Sequence, residues 1–156
     1  MSTTTPSIDT IITIGSGDVT QTRNRPAQRQ LYEEGQLHQV AYLDILPHCP
    51  FELIQGEAYF PIAPDCILPL DALHAHGLLG RHVLALVCPP TRFHLLYVKQ
   101  FLGTGCRIAV EKPLTQSLVA GESLLSFAEV VFPIGHQLFK REMLQFLQRC
   151  KEAAAL

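Results

Sequence analysis

Ile11-Ile12-Thr13-Ile14-Gly15-Ser16-Gly17-Asp18-Val19-Thr20 is the stretch on which the fold turns. Ile11, Ile12 and Ile14 form a short β-branched run that stops abruptly at Gly15-Ser16-Gly17, the pattern of a strand meeting a glycine turn. Pro26 suits the first turn of a helix, residues 27–34 have helical composition, and Gly35 suits the position just beyond a helix C-terminus. Val40-Ala41-Tyr42-Leu43 then reads as a second strand, ending at Asp44. Strand, glycine turn, helix and strand in this order make a βαβ unit.

Outward from this unit the pattern first weakens and then returns. Residues 45–70 are broken by Pro47, Pro50, Gly56, Pro61, Pro64 and Pro69, with residues 51–54 and 58–62 as short strands. Asp71 is placed to cap a helix over 72–79. Residues 82–87 are a continuous apolar strand closed by Cys88-Pro89-Pro90, and Thr91 is placed to N-cap a helix that runs to Leu102. Residues 107–110 form a strand closed by Glu111-Lys112-Pro113, followed by a helix over 117–127, a strand over 130–134 and a helix over 137–155. Strands that are apolar throughout and alternate with helices require a parallel sheet covered on both faces. The expected fold is therefore α/β, a doubly wound, mainly parallel sheet of the Rossmann dinucleotide-binding kind. Residues 9–156 would form that domain, behind a disordered tail over 1–8.

Composition bounds the function. The chain has 156 residues, 47% hydrophobic and 17% charged, with a formal net charge of −2. That is too apolar for a disordered chain and too short of basic residues for a nucleic-acid coat. The apolar stretches are strand-sized, far below the roughly 20 residues of a membrane span, and the N-terminus lacks the features of a signal peptide. Five widely spaced cysteines suggest neither a disulfide frame nor a zinc ribbon. His74, His76, His48 and Cys49 have no second ligand pair at a useful spacing, so no metal is expected. A cytoplasmic protein without nucleic-acid or membrane partners is what these observations favour.

Three constellations can carry chemistry. In Gly15-Ser16-Gly17-Asp18-Val19-Thr20 the first glycine permits the turn and the second lets backbone approach a pyrophosphate at the helix N-terminus; Thr20 stands where a third glycine or alanine is usual. Asp44 is placed to accept hydrogen bonds from the adenosine ribose and to repel a 2′-phosphate, whereas Arg23 and Arg25 would favour a phosphorylated cofactor, so NAD and NADP both stay open. Glu111-Lys112-Pro113 follows a parallel strand, where binding groups collect, and the Lys112 ammonium can stabilise negative charge on a reacting oxygen. His136 and Lys140, four residues apart on one helix face, suit an anionic group on a substrate.

Together these residues resemble the nucleotide-binding domain of Gfo/Idh/MocA oxidoreductases and the related glucose-6-phosphate dehydrogenases, over most of the chain. Gly15-Ser16-Gly17-Asp18 with Pro26-Ala27 and Gly35 looks like the first βα unit of that family. Cys88-Pro89-Pro90-Thr91-Arg92-Phe93-His94 is similar to its "PP…H" segment, Ile108-Ala109-Val110-Glu111-Lys112-Pro113-Leu114 to its strand and EKP signature, and Ile134-Gly135-His136 to its closing "GH". The resemblance implies that Gly15, Ser16, Gly17, Asp18, Asp44, Pro89, Pro90 and Glu111 bind the dinucleotide. It implies that Lys112 contacts both nicotinamide and substrate as the catalytic residue, and that the substrate is sugar-like or polyol-like.

His136-Gln137-Leu138-Phe139-Lys140-Arg141-Glu142-Met143 is similar to a segment of glucose-6-phosphate dehydrogenases in which His and Lys hold the sugar phosphate, but Gly135 replaces its acidic residue. The distance from Asp44 to Pro89 is closer to the Gfo/Idh/MocA pattern. Both branches carry a C-terminal substrate domain for which this chain has no residues after Leu156, so a non-catalytic dinucleotide-binding module is the alternative. The apolar residues Val130, Val131, Phe132, Phe139, Leu144, Phe146 and Leu147 would then face a second copy or a partner subunit that supplies the pocket.

Overall fold

The computed structural model describes residues 7–111 and 131–134. Strands β1 (Thr10–Ile14), β2 (Gln39–Asp44), β3 (Glu57–Pro61), β4 (Val83–Val87), β5 (Arg107–Glu111) and β6 (Val131–Ile134) form one sheet in the order β3-β2-β1-β4-β5-β6. Every pairing is parallel. The order reverses between β1 and β4, and this is the doubly wound arrangement that the alternating pattern predicts. Pro61 and Pro133 lie in the two outermost strands, where a residue without an N–H is tolerated.

Alternation along each strand divides the core in two. Ile11, Val40, Tyr42, Leu84, Leu86 and Ala109 pack on one face against Ala27, Leu31 and Leu37. Ile12, Ile14, Ala41, Leu43, Ala85, Val87, Ile108 and Val110 pack on the other against Leu73, Tyr97, Val98 and Phe101. Helix α1 (Arg25–Glu33) thus covers the first face, while α2 (Leu70–Ala75) and α3 (His94–Phe101) cover the second. With both faces covered, each strand is apolar at consecutive positions.

Helix boundaries differ from expectation, each for a local reason. The first helix begins at Asp18, directly behind the glycine turn, and not at Pro26. Residues Thr20–Asn24 form a π-helical turn closed by the Arg25 N–H on the Thr20 carbonyl, which runs straight into α1. Pro26 has no N–H and its ring crowds the carbonyl one turn back, and a widened turn relieves both. At the other end Gly35, at φ +77°, donates to the Tyr32 carbonyl while Gln36 donates to that of Leu31, a Schellman close. Asp71 lies inside the first turn of α2, whose cap position is Pro69. Thr91 opens a 3-10 turn (Thr91–Phe93) before α3 and makes no side-chain cap.

Residues 51–54 are not a strand. They form a strap that crosses from β2 to β3 over α1 and pair with no strand among the described residues; side chains of α1, β2 and β3 hold them instead. Arg25 donates from Nε and Nη2 to Glu57 at 2.8 and 2.7 Å, and from Nη2 to the Glu52 carbonyl at 2.8 Å. Its guanidinium lies 4.5 Å from the centroid of Phe51, which meets Tyr42 edge-on. Arg29 donates to the Gln55 carbonyl at 2.6 Å. Gly56 (φ +85°) passes so close to Tyr32 that a Cβ would stand 2.3 Å from the ring. The expected helices over 117–127 and 137–155 and the tail over 1–8 lie outside the described residues or at their edge.

Candidate functional site

Register alone assembles the site. Ile14 is opposite both Leu43 and Val87, and Val87 is opposite Val110. The next residue of each strand is therefore level with the others, so Gly15, Asp44, Cys88 and Glu111 form a row along the carboxyl edge of the sheet. Its centre is the gap between β1 and β4, where strand order reverses and ligands of this fold class collect.

Two backbones meet there. Gly15 lies at φ +99°, and a Cβ on it would approach the carbonyl carbon and oxygen of Cys88 to 3.0 Å and the nitrogen of Pro89 to 3.1 Å. The Cys88 N–H donates to the Ile14 carbonyl at 2.9 Å, closing the seam. Gly17 differs: it is exposed, and a Cβ on it would meet nothing within 4 Å. One glycine is required by the protein's own packing, and the other leaves space in front of the helix N-terminus.

That space is a cleft of about 380 Å³ lined by Gly17, Asp18, Val19, Thr20, Cys88, Pro89, Pro90, Thr91, His94 and Glu111. Its floor is the start of the helix that follows β1, whose first N–H groups have no partner one turn back. An anion there meets the positive end of the helix dipole. The residues fit a dinucleotide on these observations: an open backbone approach at Gly17, a helix N-terminus behind it, and the prolines Pro89 and Pro90 as the opposite wall.

Thr20 turns out to be integral to the turn. It is buried, and its hydroxyl donates to the Gly15 carbonyl at 2.7 Å. Gln21 reaches the Ser16 carbonyl with its side-chain amide at 2.8 Å. Asp44 is bound to the same turn. Its Oδ2 accepts from the Ser16 N–H at 2.7 Å and from the Ser16 hydroxyl at 2.5 Å, while Oδ1 accepts from the Ile45 N–H at 2.7 Å. Asp44 lies in the row and Ser16 directly follows Gly15, but neither lines the cleft.

On the far wall, His94 is buried and its Nε2 donates to the Pro89 carbonyl at 2.8 Å, which fixes the Pro89-Pro90 turn from the first residue of α3. This contact gives the histidine of the "PP…H" segment a role that its sequence position signals only through the five-residue separation from Pro89. Burial pushes the Cys88 thiol up, and the neighbouring Glu111 adds to the rise. The Cys88 Sγ accepts a 3.5 Å hydrogen bond from the Asn24 side-chain amide, and a thiol whose pKa is raised in this way is a poor nucleophile.

Arg25 is engaged by Glu57 and the strap, so it is not offered to a cofactor phosphate. Lys112, His136 and Lys140 lie outside the described residues. Among the described residues no group of His, Cys, Asp and Glu is arranged to hold a metal ion, and no helix is long and apolar enough to cross a membrane.

A similar fold occurs in solved structures of oxidoreductases and probable oxidoreductases. The probable oxidoreductase yhhX superposes with a TM-score of 0.60 at 22% identity, over 81% of this chain and 35% of that one. D-galactose-1-dehydrogenase from Rhizobium etli gives 0.55 at 16% identity, over 78% and 34%. A Gfo/Idh/MocA family oxidoreductase from Vibrio cholerae gives 0.61 at 20% identity, over 80% and 38%. At such identities the likeness is one of fold, and the chain matches only about a third of these proteins' length. No protein-family model and no curated protein matches the chain.

Proposed function

We propose that this chain is the dinucleotide-binding portion of an NAD(P)-dependent oxidoreductase of Gfo/Idh/MocA type, acting on a sugar or polyol-like small molecule. The observation that carries the proposal is the cleft at the β1–β4 switch point, bounded by an open glycine, a helix N-terminus and the Pro89-Pro90 wall. Its support is the fold shared with proteins that are themselves oxidoreductases, one of them a galactose dehydrogenase.

When bound, the nicotinamide supplies or accepts a hydride. The chain's own residues would do the rest. Backbone N–H groups at Gly17 and Asp18 would hold the pyrophosphate. Asp44 would accept from a ribose hydroxyl, and Pro89, Pro90 and Glu111 would border the nicotinamide half. Lys112, the residue after β5, would hold the reacting oxygen and stabilise its developing charge. His136 and Lys140 would bind an anionic or hydroxyl-bearing part of the substrate. NAD is favoured over NADP because Asp44 is a fixed carboxylate and Arg25 is committed to Glu57. A cytoplasmic location goes with this proposal, the four described cysteines being free thiols, as a reducing compartment keeps them. The remainder of the substrate pocket would come from a further domain, a second copy or a partner subunit.

Titration of the purified chain with NADH and NADPH, followed by nicotinamide fluorescence, tests the proposal. Saturable binding is expected, and no binding at millimolar cofactor would overturn it. Turnover of a panel of sugars and polyols should then disappear in Lys112→Ala while cofactor binding persists; undiminished turnover in that variant would remove Lys112 from its role.

A further inference from the structure

We propose that Ser16 is the positioning residue that sets the preference between the two nicotinamide dinucleotides, through its grip on Asp44. The inference rests on the dinucleotide site proposed above and concerns a residue that does not touch the ligand. Ser16 is 1% exposed, and the cleft is lined by its neighbours Gly17 and Asp18 without it. Its hydroxyl is directed instead along the carboxyl edge of the sheet to Asp44, twenty-eight residues away in sequence.

An ionised carboxylate has about four acceptor positions. In Asp44, Oδ2 is filled by the Ser16 N–H and hydroxyl, and Oδ1 holds the Ile45 N–H. Among the described residues one position is left without a donor, on Oδ1. A ribose hydroxyl can donate to it. A 2′-phosphate cannot: it brings only acceptor oxygens and negative charge against a carboxylate held by three donors and unable to swing aside. Discrimination by a fixed repulsive group is stronger than discrimination by a mobile one, because a mobile carboxylate can rotate toward solvent. Asp44 supplies the charge, and Ser16 holds it in place.

Ser16→Ala removes the hydroxyl and leaves the backbone N–H. Ser16→Cys keeps a side chain of similar length with a poor donor, so either variant tests the inference if the other fails to fold, as judged by circular dichroism. Dissociation constants for NADH and for NADPH are measured on wild type and both variants by fluorescence titration. Wild type should favour NADH, and the NADPH-to-NADH ratio of dissociation constants should fall about tenfold in the variants, the change expected from one charge-assisted hydrogen bond. Ser16→Thr, which retains the hydroxyl, should restore the ratio.

A merely structural role would weaken both cofactors in parallel and leave the ratio unchanged, and that result would overturn the inference. A wild-type chain that binds both cofactors equally would overturn it too, while leaving the dinucleotide site intact. A wild-type chain that binds neither cofactor would instead refute the site itself, and the Ser16 inference with it.

Discussion

At the scale of the residue, hydroxyl groups take over work that glycine patterns leave unassigned. A third glycine in a dinucleotide turn serves close packing of helix on strand. Thr20 achieves that contact through a hydrogen bond, its buried Oγ1 donating to the Gly15 carbonyl in a turn that a smaller residue would leave unsupported. Thr20→Val keeps the shape, removes the donor and strands a buried carbonyl. Unfolding in urea should show a loss of about 1–2 kcal/mol; a variant as stable as wild type would mean that the carbonyl finds another donor at no cost. Asp44 shows what one sequence discloses about such a residue and what it hides. Its position at the end of an apolar run was legible, because strand ends are legible. Its partner was not, because Ser16 is remote in sequence and the bond exists only once β1 and β2 lie side by side.

At the scale of the element, α1 and the strap behave as one unit. Arg25 sits on the helix and Glu57 at the start of β3, and the Glu57 side chain is wholly inaccessible to solvent. Burial alone would push the Glu57 carboxyl up, but hydrogen bonds from Arg25, the Ile54 N–H and the Tyr42 hydroxyl outweigh it and hold the group below its ordinary 4.5. A carboxyl held low binds fewer protons in the folded chain than in the unfolded one. Its contribution to stability is therefore complete above the ordinary glutamate range and declines as the pH falls through the folded value. Glu57→Gln should cost about 2 kcal/mol at neutral pH. The deficit relative to wild type should shrink as denaturation is repeated from about pH 6 down to about pH 3. A deficit independent of pH would show that lost packing, not the charge, is responsible. This unit also marks where sequence patterns fail. Strands covered on both faces announce themselves through uninterrupted apolar runs, and β1, β2, β4 and β5 fall where those runs fall. The strap also starts with apolar residues, Phe51, Leu53 and Ile54 around Glu52, yet its backbone is fixed by two arginines of α1, an arrangement no local periodicity encodes. The extent of the first helix is missed for a similar reason: Pro26 does stand in the first turn of α1, but the π-turn before it carries the helix back to Asp18.

At the scale of the whole molecule, the sheet is two halves wound in opposite directions from the β1–β4 seam, and the cleft exists because both halves leave that seam with helices on different faces. The two glycines of the turn consequently do separable jobs. Gly15 faces the other half: its φ is positive, and a Cβ on it would stand 3.0 Å from the Cys88 carbonyl, so any side chain there is both strained and crowded. Among the described residues a Cβ on Gly17 would meet nothing within 4 Å, and its backbone conformation is open to other residues. Gly15→Ala must force the β1 turn away from Cys88 and Pro89, with backbone strain and overpacking together costing about 2–4 kcal/mol. Because His94 ties Pro89 to α3, the displacement reaches the opposite wall of the cleft as well. Gly17→Ala should leave stability within about 0.5 kcal/mol of wild type, while its methyl group fills the space through which a pyrophosphate approaches the helix N-terminus. The expected outcome is a crossed pattern: Gly15→Ala lowers the urea midpoint and weakens NADH, and Gly17→Ala weakens NADH about tenfold or more at an unchanged midpoint. Should Gly17→Ala bind NADH as wild type does, the cleft would not receive its ligand at the helix N-terminus, whatever the sheet topology suggests. Should it lose stability as Gly15→Ala does, the open space in front of the helix would belong to the fold rather than to a ligand.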